Sequence, residues 1–268
     1  MKILAIDDDP IILDLLNQFL ASIGVHELTT AESGQDAIDL LERENGTAFD
    51  CFLVDIQMPE MDGVELTKRI RSFEKYLDTP VVMLTAMSEK RYIDAAFAAG
   101  ATDYVTKPFE LTELKARLTL LDELVQKRRL SSPRSGLSDD GTDASDSGEI
   151  ELFQPVTIRG VSTVIDHVAM ANYVSQLSRG ALFGSTSFAF AVRRIEGFHS
   201  SLNKSDYLDL LSVVAQVVSE TLSSHQFLMS YAGNGIFVCV AEQGWRPDLE
   251  EVRDTVNLSF AQREIRSH

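Results

Sequence analysis

Cys51-Phe52-Leu53-Val54-Asp55-Ile56-Gln57-Met58-Pro59 is the stretch on which the fold turns. The apolar run Phe52–Val54 is too short for a helix and is bounded by turn residues, so it reads as a buried parallel strand. Asp55 sits at the C-terminal end of that strand, where open α/β sheets bind their ligands. A single Asp there can equally cap the following helix, so the neighbouring stretches decide.

Upstream, Lys2–Ile6 is an apolar strand that ends in Asp7, Asp8 and Asp9, with Asp9 as N-cap and Pro10 at the first helical position. Ile11, Ile12, Leu15, Leu16, Phe19 and Leu20 recur at helical spacing up to Gly24, and predict an inward stripe. A weakly marked strand near Glu27–Thr29 and a helix over Ser33–Glu44 with Ala37, Ile38, Leu40 and Leu41 inward come next. Downstream lie a helix from Gly63 to Phe73, a strand Val81–Leu84 ending in Thr85-Ala86, and a helix Lys90–Ala99 stopped by Gly100. A strand Asp103–Thr106 ending in Lys107-Pro108 and a helix Leu111–Leu130 complete five βα units. Short βα units of this kind imply a parallel sheet covered on both faces.

In such a sheet Asp7, Asp8, Asp55, Thr85 and Lys107 all fall on one edge. Carboxylates crowded there repel one another and call for a cation, and an oxygen-only ligand set at a phosphate site favours Mg²⁺. A carboxylate can attack phosphorus to give an acyl phosphate. The transfer then needs mainly charge neutralisation: a metal, the amine of Lys107, and donors such as the Thr85 hydroxyl and the Ala86 N–H.

Ile6-Asp7-Asp8, Val54–Pro59 with Asp62-Gly63, Leu84-Thr85-Ala86 and Tyr104–Phe109 together resemble the receiver domain of two-component response regulators, over about residues 1–125. The resemblance implies a flavodoxin-like sheet of order 2-1-3-4-5, a general property of that fold rather than something read from spacing. It implies phosphorylation of Asp55 by a histidine kinase or phosphotransfer protein, and Mg²⁺ held by Asp8, Asp55 and the Gln57 carbonyl with Asp7 acting through water. It also implies a cis Lys107-Pro108 peptide and a switch pair, in which Thr85 moves to the phosphate and Tyr104 turns inward.

The first domain is expected to span 1–130. Residues 131–149 are rich in Ser, Gly and Asp and nearly free of apolar side chains, and are expected to form a flexible acidic linker. The basic end of the preceding helix, Gln126–Arg129, suits the helix dipole.

Residues 150–268 suggest an α+β domain: a lead-in strand over Glu151–Ile158, a helix Ser162–Ser178 stopped by Gly180, and a strong strand Ser187–Ile195. A helix capped by Asn203 or Ser205 runs to Leu222, strands Phe227–Tyr231 and Ile236–Ala241 flank the turn Ala232-Gly233-Asn234-Gly235, and a last helix opens at Pro247-Asp248. The order fits a ferredoxin-like palm. Ile195–Phe198 and Tyr231–Ile236 look like the core of class III nucleotide cyclases, with which the GGDEF diguanylate cyclases share their palm. The metal-binding Asp of the first strand is replaced by Arg194, and the hairpin Asp by Asn234. Glu196, expected on the same strand face as Arg194, makes a poor two-metal site alone, and the later segment that carries transition-state residues is expected to be missing. The resemblance thus implies a catalytically dead palm that acts by protein contact or homodimerisation. The alternatives are a phosphorylation-gated cyclase making a cyclic nucleotide or cyclic di-GMP, and a palm that senses a nucleotide without turnover.

The net charge of −17 argues against a large nucleic-acid footprint. Cys51 and Cys239 lie in apolar runs and read as buried reduced thiols. No signal peptide or membrane-length apolar run is evident, so a cytoplasmic protein is expected.

Overall fold

The computed structural model describes residues 1–23, 27–43, 48–87, 89–131, 150–177, 184–241 and 244–266. The chain divides into two compact units, Met1–Gly148 and Glu149–His268. The expected linker, beyond Ser131, and the helix-stopping Gly24 and Gly180 lie outside the described residues.

In the first unit the elements run β1 (Lys2–Ile6), α1 (Pro10–Ile23), β2 (Glu27–Ala31), α2 (Gly34–Arg43), β3 (Cys51–Val54) and α3 (Gly63–Ser72). A 3₁₀ turn (Glu74–Tyr76), β4 (Val81–Thr85), α4 (Lys90–Ala98), β5 (Asp103–Thr106) and α5 (Leu111–Ser131) follow. The sheet has the flavodoxin-like order β2-β1-β3-β4-β5, every pairing parallel. All four residues of β3 are buried, because helices cover both faces. On one face Ile3, Ala5, Leu53 and Val82 pack against Leu13, Leu16 and Leu20 of α1 and Leu114, Leu118 and Leu121 of α5. Alternate strand residues point the other way, where the Phe52 ring meets Tyr76 edge-on at 5.1 Å.

Two inward expectations fail on α1. Ile11 and Leu15 are 73% and 42% exposed. Leu13 joins Leu16, Phe19 and Leu20 of the expected stripe on the buried face, and the helical turn of about 3.6 residues carries Ile11 and Leu15 away from it. Asp62 caps α3 by accepting from Glu65 N–H at 2.8 Å. Gly63 is then pressed against the strand end: a Cβ there would lie 2.1 Å from the Asp55 carbonyl oxygen.

The second unit contains α6 (His167–Gln176), β6 (Thr186–Ala191), α7 (Ile195–Ser201), α8 (Lys204–Thr221), β7 (Phe227–Tyr231), β8 (Ile236–Ala241) and α9 (Leu249–Arg266). Its sheet is small and antiparallel, of order β6-β8-β7. Tyr207, Leu211, Val214 and Val218 of α8 cover one face through Phe188, Met229 and Phe237.

Three expectations need correcting here. Glu151–Ile158 is no strand; it begins with a turn closed by Gln154 N–H donating to the Glu151 carbonyl. The helix expected from Ser162 starts at His167, because Thr163–Ile165 instead satisfy the outer edge of β7. There Met229 N–H donates to the Thr163 carbonyl and Ile165 N–H to the Met229 carbonyl. Finally, β6 stops at Ala191. Arg194 adopts a left-handed conformation (φ 58°) that turns the chain into α7, so Arg194 and Glu196 do not share a strand face.

Two substitutions test this packing. Gly63→Ala is expected to lower the stability of the first unit by about 1–3 kcal/mol, since backbone rather than a flexible side chain blocks the methyl group; urea unfolding followed by circular dichroism checks it. Asp103, buried in β5, accepts from one Arg117 nitrogen, Nη1, on both of its oxygens at 2.7 Å each. Arg117→Met leaves that carboxylate uncompensated and is expected to cost about 3–5 kcal/mol near neutral pH. Burial raises the Asp103 pKa, and Arg117 opposes the rise. Without Arg117 the native state binds a proton that the unfolded chain releases. The defect should therefore shrink as pH falls, which unfolding curves at several pH values will read.

Candidate functional site

The parallel register of β1, β3, β4 and β5 brings their C-terminal ends to one edge of the sheet. Asp55 N–H donates to the Ile6 carbonyl, Asp7 N–H to the Ala31 carbonyl, and Lys107 N–H to the Thr85 carbonyl. Each functional side chain is thus carried by a backbone fixed to the neighbouring strand. The Lys107-Pro108 peptide is cis, as expected.

Lys107 reaches across this edge. Its Nζ donates to Asp7 Oδ2 at 2.6 Å and to Asp55 Oδ1 at 3.0 Å. Both carboxylates are buried, their side chains 4% and 6% exposed. Burial pushes the Asp7 carboxyl above its ordinary range, against the pull of Lys107 and of the Asp9 N–H. For Lys107 burial favours the neutral amine, but the two carboxylates outweigh it and hold the ammonium above its usual value. Asp8 and Gln57 lie on the same rim and are exposed.

Thr85 and Tyr104 are both fully buried, and both meet the main chain of Met87. Met87 N–H donates to Thr85 Oγ1 at 3.3 Å, and the Tyr104 hydroxyl donates to the Met87 carbonyl. Tyr104 is therefore turned inward, and burial raises its pKa. Ala86, the expected backbone donor, is exposed at the end of β4. Sequence reasoning missed Met87, because it acts through backbone groups that every residue type carries. It also missed the Asp103–Arg117 pair, whose members are separated by 14 positions across β5 and α5.

Among the described residues no group of three His, Cys, Asp or Glu side chains is placed to hold a metal ion. The donors at this rim nevertheless suit Mg²⁺ in kind: two carboxylates with an ammonium held between them, a third carboxylate at Asp8 and a carbonyl at Gln57, all oxygen.

In the second unit the β6–α7 junction meets the β7–β8 turn: Val192 N–H donates to the Gly235 carbonyl, and a Cβ on Gly235 would lie 2.9 Å from the Ile195 side chain. Arg194, Glu196 and Asn234 are all exposed around this junction. Gly233, Asn234 and Gly235 all have positive φ, which explains the two glycines. Cys51 and Cys239 are buried free thiols whose pKa burial pushes up to about 12. Among the described residues no helix is long and apolar enough to cross a membrane.

Comparison with known proteins places the first unit. Residues 3–119 match the model of the response regulator receiver domain. The two-component response regulator ARR10 of Arabidopsis thaliana is 37% identical over 138 residues, 52% of this chain and 24% of that protein. The transcriptional regulatory protein CrdR of Helicobacter pylori is 38% identical over 117 residues, 44% of this chain and 53% of that protein. The chain thus spans about a quarter and about half of these two relatives. A chemotaxis protein CheY homolog of Campylobacter jejuni is 35% identical over 118 residues, covering 44% of this chain and 89% of that protein. Among solved structures, the chemotaxis response regulator CheY4 of Vibrio cholerae is 32% identical, covers 45% of this chain and 97% of that chain, and gives a TM-score of 0.41. With a parallel sheet of this order and the rim built on its strand ends, the chain belongs to the response regulators of two-component, phosphorylation-based signalling, through a receiver domain in its N-terminal part.

Proposed function

We propose that Asp55 is the phosphoacceptor, and that a histidine kinase or phosphotransfer protein is the donor. The observation that carries this reading is the Lys107 ammonium bridging Asp7 and Asp55 at the strand ends. An Asp55 oxygen forms the new bond to phosphorus as the phosphorus–nitrogen bond of the donor's phosphohistidine breaks. The imidazole leaves with that electron pair and takes up a proton. Lys107 stays against the growing negative charge, and the Thr85 hydroxyl and Ala86 N–H face the equatorial oxygens. Asp8, Asp55 and the Gln57 carbonyl would hold Mg²⁺, with Asp7 acting through water. The ion supplies charge neutralisation when bound. Moving Thr85 toward the phosphate breaks its contact with the Met87 N–H, while the Tyr104 hydroxyl donates to the carbonyl of the same residue. Phosphorylation thereby biases a two-state face made of Thr85, Met87 and Tyr104.

The receiver spans 1–130, a linker 131–149, and an output unit 150–268, which descends from a cyclase-like palm and has lost catalysis. The order β6-α7-α8-β7-β8-α9, the sheet order β6-β8-β7 and the turn carrying Asn234 support this descent. Arg194 and Asn234 cannot replace the carboxylates that a two-metal reaction needs. The output unit works through contact with a downstream protein and through homodimerisation at the edge of β6, which among the described residues is paired on one side only.

Three proteins and one chelator test the acceptor. With a radiolabelled phosphodonor and Mg²⁺ the unaltered chain should incorporate label, and Asp55→Asn should incorporate none, as should the unaltered chain in excess EDTA. Lys107→Met keeps the acceptor but loses the fixed cation, so its rate of labelling should fall about a hundredfold. Sedimentation velocity on the phosphorylated chain should show a dimer; a monomer at high concentration, phosphorylated or not, would count against edge pairing.

A further inference from the structure

The segment that leads into the second unit is tied to the turn between β7 and β8. Asn234 N–H donates to the Leu152 carbonyl at 2.7 Å. His199 Nε2 lies within hydrogen-bond reach of the Ile150 carbonyl, so its ring carries the proton on that nitrogen. Both donors are backed by one aromatic network. The His199 ring meets Tyr207 edge-on at 5.1 Å, the Tyr207 and Tyr231 hydroxyls are 2.9 Å apart, and Gly235 N–H donates to Tyr231 at 3.0 Å. Gly233 is shaped to the segment as well: a Cβ there would meet three atoms of Phe153 first, the carbonyl oxygen at 2.3 Å. Leu152 is part-buried against the core of this unit, whereas Phe153 is 65% exposed. A cleft of about 380 Å³ opens beside Ile150, His199, Lys204 and Tyr207.

We propose that Ile150–Phe153 is a latch: a stretch of the chain acting as its own peptide ligand, seated in a site formed by Asn234 N–H, His199 Nε2 and the face that receives Leu152. The attachment has the character of a bound peptide rather than of a core element. Among the described residues, two hydrogen bonds to its main-chain carbonyls and the part-buried Ile150 and Leu152 hold it, with no strand ladder. Asn234 is then retained for what its backbone does, since its N–H is the donor and its left-handed φ of 52° suits Asn. The latch stands independently of the phosphoacceptor reading, because neither its contacts nor its test involve Asp55.

The test uses the full-length chain and a fluorescent peptide with the sequence of residues 148–156. Ile150→Gly combined with Leu152→Gly keeps both carbonyl acceptors but removes the apolar anchors. The labelled peptide should bind this double variant at least tenfold more tightly than the unaltered chain, whose own latch occupies the site. Adding His199→Phe should weaken that binding again. Hydrogen exchange of the Asn234 amide should be at least tenfold faster in the double variant and slow down again when the peptide saturates it, while the α8 amides stay unchanged. Leu152→Ala, a milder change, should move the same amide in the same direction. Equal protection of Asn234 in all proteins, failure of the peptide to restore it, or faster exchange throughout α8 would each overturn the latch.

Discussion

One ammonium between two buried carboxylates organises the receiver unit. Parallel pairing places Asp7 and Asp55 side by side at the strand ends, where both lose most of their water. Lys107 arrives from the end of β5, two strands from β3 and three from β1, and offsets the repulsion by bonding to both. A buried carboxylate is costly to keep charged without such a partner. The features around the rim serve this geometry: the close approach of Gly63 to the Asp55 carbonyl, the cis Lys107-Pro108 bond, and the hydrogen bonds that pin each strand end to its neighbour.

The same edge connects to a mobile choice. Thr85 and Tyr104 come from adjacent strands and converge on the two backbone groups of Met87. The Thr85 oxygen accepts from the Met87 N–H and its own hydrogen is not used by that bond, so on the proposed reading it is movement of the side chain toward a phosphate at Asp55 that would break the contact. The proposed switch would rest on the position of one small polar side chain and on one buried ring whose hydroxyl needs an acceptor.

Much of this was legible in the residues. Short apolar runs punctuated by Asp, Thr and Lys announce parallel strands with polar ends, and the rim follows from topology alone. On α1 Leu16, Phe19 and Leu20 were legible as inward, but Ile11 and Leu15 are as apolar as Leu13, and apolarity alone did not show that they lie off the buried face. Met87 was invisible because backbone chemistry leaves no mark in sequence. In the second unit the hairpin turn was read from its glycines, but the strand expected over Glu151–Ile158 was not found, and the helix expected from Ser162 begins only at His167. Apolar periodicity there reports residues that pack against β7 and the core, and it does not distinguish a short bridge from a helix. The left-handed turn at Arg194 was missed for a related reason: a strong β-pattern upstream conceals where the strand stops.

The most direct measurement is chemical identification of the phosphorylated atom. A carboxyl phosphate, unlike a phosphohistidine or a phosphoserine, is reduced by borohydride to an alcohol, so a phosphorylated Asp becomes homoserine. The full-length chain, phosphorylated in the presence of Mg²⁺, reduced, digested and sequenced by mass spectrometry, should carry homoserine at position 55 alone. Homoserine at position 7 or 8, or none anywhere in a chain that has taken up phosphate, would contradict the assignment of Asp55 as the acceptor.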